Sequence, residues 1–302
     1  MGKLKNLIYR FNAAISRDYS RMCRNEIYRA MYENLAHTDA EFGVEPDSEA
    51  NVIVSLTTYG ERIYTVHKTI ESIMRQTYKA NRIILWLDQD EFTLDALPIV
   101  LQKMTNRGLE IKFCPNYKSY KKLIPTLQLT RESNVITVDD DMIYPLSMIE
   151  NMHRTHLKHP DCVIFNYGTE MVFDQNGEVL PYTQWIDKGD FTTPSNHYMG
   201  IGVGGIWYPV GSLHDDVLDV EAFTKLAPRA DDLWFKVMSF RNGTKQVQTC
   251  FGERILDTNG FLNRFVTIED EQREKLGTAN VICGQNDVQL ADLIKEYNVK
   301  FN

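Results

Sequence analysis

The sequence SNVITVDDDMIYP, residues 133–145, decides the fold of this chain. Its apolar run, 135–138, is typical of a buried strand and leads directly into Asp139, Asp140 and Asp141. Neighbouring carboxylates repel one another, and a cation can offset that repulsion. Alternate side chains of an extended backbone point the same way. We therefore expect Asp139 and Asp141 to face one site and Asp140 another; the alternative is an exposed acidic turn.

Strands and helices alternate on the amino-terminal side of this stretch. Three apolar strands precede it, and helical patterns separate them and lead into the fourth: NVIVSLTTYG (51–60), IYTVHKTIESIMRQT (63–77), RIILWLD (82–88), LDALPIVLQKMTNRG (94–108), LEIKFC (109–114) and SYKKLIPTLQLT (119–130). Successive strand–helix–strand crossovers predict an α/β fold with an open, mainly parallel sheet and helices on both faces. In such sheets, ligands bind beyond the carboxyl ends of the strands.

Polar side chains of complementary types follow those carboxyl ends. The first strand ends at hydroxyls, a tyrosine and an arginine, the second ends at acids, and two lysines precede the fourth: Thr57, Thr58, Tyr59, Arg62, Asp88, Asp90, Lys121 and Lys122. Each residue alone is ordinary in a loop, but the cluster suits a nucleotide. Carboxylates accept from ribose or base, a ring stacks on the base, and cations meet the diphosphate. Mn²⁺ or Mg²⁺ commonly uses one or two carboxylates together with substrate phosphates.

The composition excludes several classes of protein. A net charge of −8 argues against general nucleic-acid binding. No apolar run approaches the ~20 residues that cross a bilayer. The five cysteines are scattered and form no CxxC pair, which argues against a zinc site and a disulfide framework. This use of cysteine is typical of a protein of the reducing cytosol.

The amino-terminal segment differs in charge from the rest of the chain. Residues 1–30 carry seven basic and two acidic side chains, a net charge of +5, which leaves −13 for the remainder. Apolar residues recur there at spacings of three and four, which predicts an amphipathic helix. Such a helix can contact the anionic inner face of a membrane, pack on its own domain, or pair two subunits in a homodimer.

The motifs together resemble a known family. The segments VSLTTYGERI, TIESIMRQT, RIILWLD and VITVDDDMIYP are similar to the nucleotide-sugar-binding half of GT-A fold glycosyltransferases, especially bacterial family 2-like enzymes of lipopolysaccharide or capsule synthesis. Their hallmark is an Asp-x-Asp after the fourth strand. The resemblance covers roughly residues 50–250. It implies a nucleoside-diphosphate sugar as donor, with a UDP-sugar as the first guess, and a glycan or lipid-linked acceptor.

The resemblance also implies roles for individual residues. In this family, first-strand residues hold the nucleoside, an acid after the second strand contacts the base, and a basic residue precedes the fourth strand; the matching positions are Thr57, Tyr59 and Arg62, then Asp88, then Lys121 or Lys122. Asp139 or Asp140 would contact ribose. Asp141, together with Asp139, would bind the metal that bridges the diphosphate.

Two motifs of the second half match the same family. Gly204 and Gly205 fit its GG-x-x-Y-P segment near the donor sugar and acceptor, although a tight turn is an equal alternative. Asp231 and Asp232 open a predicted helix, where acids also stabilise the helix dipole. In inverting relatives one such acid is the general base, and we favour Asp232 over Asp231. No histidine follows His214, so the late histidine that completes many relatives' metal sites is missing.

The sequence thus predicts two regions and one main activity. The regions are an amino-terminal helix with its linker, 1–45, and a catalytic domain, 46–302, with a nucleotide-binding half, 46–165, and an acceptor-binding half, 166–302. We expect a cytoplasmic glycosyltransferase, peripheral to the inner membrane face. The alternatives are a haloacid-dehalogenase-like phosphatase using Asp139 and Asp141, a sugar-nucleotide pyrophosphorylase, and a non-catalytic glycan-binding protein.

Overall fold

A computed structural model describes residues 22–249, 266–268 and 284–301. Its α-helices and strands follow one another as α1 (22–38), β1 (Val52–Thr57), α2 (His67–Met74), β2 (Arg82–Asp88), α3 (Ile99–Thr105), β3 (Leu109–Cys114), α4 (Ile124–Leu129), β4 (Asn134–Thr137), β5 (Met142–Ile143), α5 (Met148–Lys158), β6 (Val163–Phe165), β7 (Gly168–Glu170), β8 (Tyr198–Gly200), β9 (Ile206–Tyr208), α6 (Val220–Leu226), α7 (Asp231–Arg241), β10 (Gln246–Gln248), β11 (Val266–Thr267) and α8 (Gln285–Tyr297).

A seven-stranded sheet with the order β10-β6-β9-β4-β1-β2-β3 forms the centre of the molecule. The neighbouring pairs are parallel except for those of β9, which runs antiparallel to both β4 and β6. In the middle of the sheet, Val54 of β1 lies opposite Ile83 and Ile136. The predicted fold class, a mainly parallel α/β sheet, is confirmed, and the architecture is consistent with a GT-A fold.

Alternate residues of the strands enter two apolar layers, one on each face of the sheet. On one face, Val54 and Leu56 pack with helices α2, α3 and α5; on the other, Val135 and Phe165 pack with helices α4, α6, α7 and α8. Burying each such side chain contributes about 1.5–3 kcal/mol. Because both faces are covered, β1 is apolar along nearly its whole length, and a run of polar residues begins at its last residue, Thr57.

The described part of the amino-terminal helix packs on the domain. Tyr28 and Tyr32 of α1 form a small apolar cluster with Ile143, Val266 and Ile268, which belong to the β5–β11 ladder and its end. Of the predicted basic amphipathic helix, residues 1–21 lie outside the described residues. The linker predicted to end at residue 45 contributes Val44 to the core, and Ala50 enters the core just before β1. No helix of the described residues is long and apolar enough to cross a membrane.

Candidate functional site

The acidic triplet lies just beyond β4, at the carboxyl edge of the sheet. Asp140 is 6% exposed. The Thr58 hydroxyl donates to its Oδ2 at 2.6 Å, Arg62 Nη1 donates to its Oδ1 at 2.7 Å, and the Thr69 hydroxyl donates to its main-chain carbonyl at 3.0 Å. Both carboxylate oxygens of Asp140 are therefore engaged inside the protein.

Arg62 joins Asp140 to Asp141. Its Nη2 lies 3.1 Å from Asp141 Oδ2, and its guanidinium carbon lies 5.2 Å from the centre of the Tyr59 ring. Although burial opposes its charge, the two carboxylates raise the pKa of Arg62. The prediction that Asp140 would face away from both neighbours is wrong, because the chain turns at Asp140 and Asp141 instead of staying extended.

Lys122 connects the triplet to the second half of the chain. Its Nζ lies 3.1 Å from Asp139 Oδ1 and 2.9 Å from Asp231 Oδ2. Burial opposes the charge of Lys122, but the carboxylates of Asp139, Asp231 and Asp232 outweigh that cost and raise its pKa. One buried ammonium thus holds together acids that are 92 residues apart in sequence.

Asp232 lies beside this lysine with one oxygen unused. The Gly202 amide donates to its Oδ2 at 3.1 Å, whereas Oδ1 is buried and has no hydrogen-bond partner among the described residues. Burial raises the pKa of Asp232, Lys122 opposes the rise, and Asp231 and Asp139 add to it. An unpaired buried carboxylate oxygen with a raised pKa is suited to accept a proton.

Gly202 lines the gap between these groups. A Cβ atom placed on it would lie 2.6 Å from Lys122 Nζ, 3.2 Å from Asp232 Oδ1 and 3.4 Å from Asp139 Oδ1. We call Lys122, Asp139, Gly202, Asp231 and Asp232 the bridged site. A Cβ atom here would collide with the Lys122 ammonium, so the absence of a side chain lets the main chain of Gly202 approach all three polar groups closely.

The two glycines that were predicted to bind ligand lie slightly to one side. A Cβ on Gly204 would meet Tyr167, and Gly205 takes a φ of 82°, which favours glycine. Gly202 lies two residues before this pair, and no role was predicted for it from the sequence. Its position next to Lys122 could not be derived, since the glycine-rich segment and the lysine are 80 residues apart.

Other predicted nucleoside contacts surround the edge of β1 and β2. Tyr59 is 52% exposed, so its ring is open to a stacking partner. Asp88 is buried, and its Oδ1 accepts from the Asp90 amide at 2.9 Å. The Thr57 hydroxyl donates to the Trp86 carbonyl at 2.8 Å, so it also serves the sheet. Lys121 is buried too, and its charge lies near Cys114, away from the bridged site.

Asp139 and Asp141 are the carboxylates of the triplet that remain partly exposed. Their side chains are 31% and 36% exposed. Burial and the charge of Asp139 raise the pKa of Asp141 to about 6 despite Arg62, so negative charge in this turn is incompletely offset. Two partly exposed carboxylates fit Mn²⁺ or Mg²⁺, which takes its remaining oxygens from water and phosphate.

The later histidines do not complete a metal shell at this place. The ring of His197 packs on Phe173 with 4.7 Å between centroids, and His214 Nδ1 accepts from the Asp216 amide at 3.2 Å. Within residues 22–249, 266–268 and 284–301, the acidic triplet belongs to no cluster of three side chains that is spaced to ligate a metal. The described chain therefore offers two carboxylates here.

Sequence reasoning missed the residues that orient the acidic triplet. The Tyr144 hydroxyl accepts from the Asp139 amide at 2.9 Å and donates to the Val203 carbonyl at 3.2 Å. It thereby ties the triplet to the glycine-rich segment. The signal was present, because Tyr144 stands within the opening stretch, but a tyrosine in an apolar context is ordinarily a core residue. Thr69 was likewise hidden within a helical pattern.

The sequence matches no protein-family model and no curated protein. Among solved structures, similar chains include S. aureus TarS 1–349 in complex with UDP-GlcNAc, at 13% identity and a TM-score of 0.43, covering 65% of this chain and 55% of that one. Another is the mannosyltransferase PcManGT from Pyrobaculum calidifontis in complex with GDP-Man and Mn²⁺, at 12% identity and a TM-score of 0.42, covering 78% and 65%. This chain thus matches less than two thirds of either length.

Proposed function

We propose that the protein is a GT-A fold glycosyltransferase that moves a sugar from a nucleoside diphosphate to a hydroxyl group of a glycan or glycolipid. The observation that carries this proposal is the bridged site. Lys122 brings the acid that follows β4, Asp139, to the acids that open α7, Asp231 and Asp232, and the main chain of Gly202 packs against all of these polar groups except Asp231. Group transfer between two substrates needs such a meeting of a donor-binding edge and a proton acceptor.

The donor nucleotide would lie along the carboxyl edge of β1, β2 and β4. The exposed ring of Tyr59 supports stacking on the base, and Asp88 at the end of β2 supports a contact with it. Asp139 is the better candidate for ribose, because Asp140 is buried with both oxygens engaged. Arg62 would act mainly by holding Asp140 and Asp141 in place.

Asp139 and Asp141 would hold Mn²⁺ or Mg²⁺ against the diphosphate. When bound, the ion would offset the charge that develops on the departing diphosphate. The chain's contribution is to fix the two carboxylates: Arg62 holds Asp141, and Lys122 holds Asp139. In addition, the positive charge of Lys122, beside Gly202, would lie near the sugar–phosphate bond that breaks.

Asp232 would act as the general base. Its free Oδ1 would take the proton of the acceptor hydroxyl while that oxygen forms a bond to the anomeric carbon of the sugar. The bond from this carbon to the diphosphate oxygen breaks, and the bonding pair leaves with the diphosphate. Attack from the side opposite the leaving group inverts the anomeric configuration. Asp231 would position Lys122, with which it forms an ion pair.

The acceptor and the location are further parts of the proposal. A lipid-linked glycan of surface polysaccharide synthesis would reach the acceptor half, 166–302, and the basic segment 1–30 would contact the anionic inner membrane face. The packing of α1 on the domain supports an amino-terminal segment that is anchored at the catalytic edge. Pairing of two subunits through the same segment is the alternative.

The test is release of nucleoside diphosphate from a panel of nucleotide sugars, with Mn²⁺ and with chelator, in the presence of candidate lipid-linked acceptors. We expect one donor to be turned over in a metal-dependent way, and Asp232→Asn to stop turnover while nucleotide binding persists. Phosphatase activity that is lost in Asp139→Asn, without any nucleotide-sugar turnover, would overturn the proposal. Donor binding without turnover under every condition would instead indicate a glycan-binding protein.

A further inference from the structure

Three metal-ligating side chains meet where α1 passes the start of α2. Glu33 and His37 are four residues apart on α1 and therefore share a face, and His67 is the first residue of α2. Within the part of the chain that the structure describes, this is the one group of three or more His, Cys, Asp or Glu side chains whose ligand atoms all lie within 4.8 Å of one another. The proposed catalytic reaction does not use them.

The distances are those of ligands around one small ion. His37 Nε2 lies 3.1 Å from Glu33 Oε1, and His67 Nε2 lies 3.0 Å from Glu33 Oε2. A tetrahedral Zn²⁺ with bonds of about 2.0–2.2 Å separates its ligand atoms by about 3.3 Å. The two Glu33–histidine contacts are a few tenths of an ångström shorter than this, and all three ligand atoms lie within 4.8 Å of one another, so side-chain adjustments would bring them around one ion.

Burial fixes one ligand, while exposure gives access to the others. His67 is 3% exposed. Among the described residues, its Nε2 has a hydrogen-bond partner and its Nδ1 has none. The side chains of His37 and Glu33 are 52% and 43% exposed. An ion can thus enter from solvent, meet a preset imidazole nitrogen, and keep a water molecule as its fourth ligand.

We infer that Glu33, His37 and His67 form a second cation site, separate from Asp139 and Asp141, which takes a transition-metal ion of the Zn²⁺ class. Two imidazoles and one carboxylate suit Zn²⁺ better than Mg²⁺ or Ca²⁺, which prefer oxygen ligands throughout. The site joins α1 to α2, so an ion bound there would link the two helices.

Lys68 is the competitor for this site within the chain. Its Nζ lies 2.9 Å from Glu33 Oε2, the oxygen that also faces His67. A bound ion must displace this ammonium group, which can swing outward on its flexible stem. Metal affinity in the native chain is therefore lower than the three ligands alone would provide, and removal of the Lys68 charge should increase it.

The consequence of metal binding is a firmer attachment of α1 to the catalytic edge. Thr69, two residues after His67, donates to the carbonyl of Asp140. One turn before Glu33 on α1, Arg29 Nε donates to the Thr267 carbonyl at 2.8 Å, and the next amide, Ile268, donates to the Asp141 carbonyl at 2.7 Å. Metal binding at the α1–α2 contact would stabilise both supports of the acidic turn.

The experiment is a Zn²⁺ titration of tag-free, metal-stripped full-length protein, followed by thermal unfolding and by calorimetry. We expect Zn²⁺ to raise the Tm of the wild type. The rise should persist in Asp141→Ala, which removes a ligand of the proposed catalytic metal. His37→Gln should weaken Zn²⁺ binding by more than about tenfold, since loss of even an indirect partner costs 10–100-fold. Lys68→Gln should tighten it.

Two further variants complete the test. His67→Gln should abolish the Zn²⁺ effect; because His67 is buried, its folding is checked by circular dichroism, and the exposed His37→Gln keeps the test valid if it fails. His159→Gln, on another helix end, is the matched control and should bind as the wild type does. No Zn²⁺ effect in the wild type, or an equal effect in wild type and His37→Gln, would overturn the inference.

Discussion

Lys122 joins two groups of carboxylates whose oxygens are used differently. We call the acidic triplet after β4 the first wall and the acids that open α7 the second wall. On the wall that follows β4, Asp140 is saturated by Thr58 and Arg62, and Asp141 shares the same guanidinium. On the wall that opens α7, Asp232 keeps one buried oxygen without a hydrogen-bond partner in the described residues. A saturated carboxylate orients its neighbours, whereas an unsaturated one can accept a proton. From this contrast we propose that the first wall binds the donor and that the second carries out the proton transfer.

Lys122→Met should break both walls at once. It leaves three carboxylates without their shared counter-charge, and removal of one partner from a buried ion pair costs about 3–5 kcal/mol. We expect a lower denaturation midpoint at pH 8, partial recovery at low pH as the carboxylates become protonated, and no turnover. Lys118→Met, at an exposed position, should change the free energy of unfolding by less than about 0.5 kcal/mol. Equal stability of the two variants would contradict the bridge.

Asp232→Asn should affect chemistry alone. Loss of a general base lowers kcat by about 10²–10⁴-fold. The Gly202 amide keeps an oxygen acceptor on the asparagine, so donor binding should survive. Asp219→Asn is the matched control, because Asp219 also opens a helix and asparagine caps as well as aspartate does. If calorimetry shows that Asp232→Asn loses donor affinity in step with kcat, the separation of roles is wrong.

Gly202→Ala should push the Lys122 ammonium away from its position between the two walls. Its Cβ would lie 2.6 Å from Lys122 Nζ, a flexible group that can move, so the fold should survive. Displacement of the ammonium should lower kcat/KM by up to about 100-fold. Gly211→Ala makes the opposite comparison: its added Cβ has open space, but its φ of 72° is strained, so it should lose stability and keep activity.

The pH dependence of kcat and of donor binding should distinguish the two walls, with smaller effects than the substitutions above. A raised pKa for Asp232 means that its ionised form, the base, is lost as pH falls, well above the usual ~4 of aspartate. We therefore expect kcat to fall between pH 8 and 6 in the wild type and to be flat in Asp232→Asn. Metal-dependent donor binding should weaken as pH falls through about 6, where free Asp141 takes up a proton. If neither kcat nor metal-dependent donor binding of the wild type changes between pH 8 and pH 5, both assignments are contradicted.

The sheet was predictable because its signal is local. Each strand of the first half is an apolar run of suitable length that ends in polar residues, and the helices between them carry their own periodicity. The position of the acidic triplet at the carboxyl edge followed from that order. The turn at Asp140 and Asp141 did not, since nothing in three identical residues shows where an extended backbone ends.

The bridged site itself could be predicted only in part. Asp139, Lys122 and Asp232 were each named from local context, but the contact between Lys122 and Asp231 joins segments with no shared pattern. Gly202 was overlooked because its importance depends on what lies opposite it. Lys121 and Lys122 illustrate the same limit: adjacent lysines are alike in sequence, and the short helix that carries them sends one towards Asp139 and the other towards Cys114.

We propose above all that the bridged site and the adjoining edge of the sheet bind a nucleoside diphosphate together with a divalent ion. The most direct measurement is the Tm of the full-length protein in the presence of UDP, GDP, ADP, CDP or TDP, each with Mn²⁺ and with chelator. We predict that at least one nucleotide raises the Tm with Mn²⁺, and that Asp141→Ala abolishes the metal-dependent part. If no nucleoside diphosphate stabilises the protein under either condition, the account is contradicted.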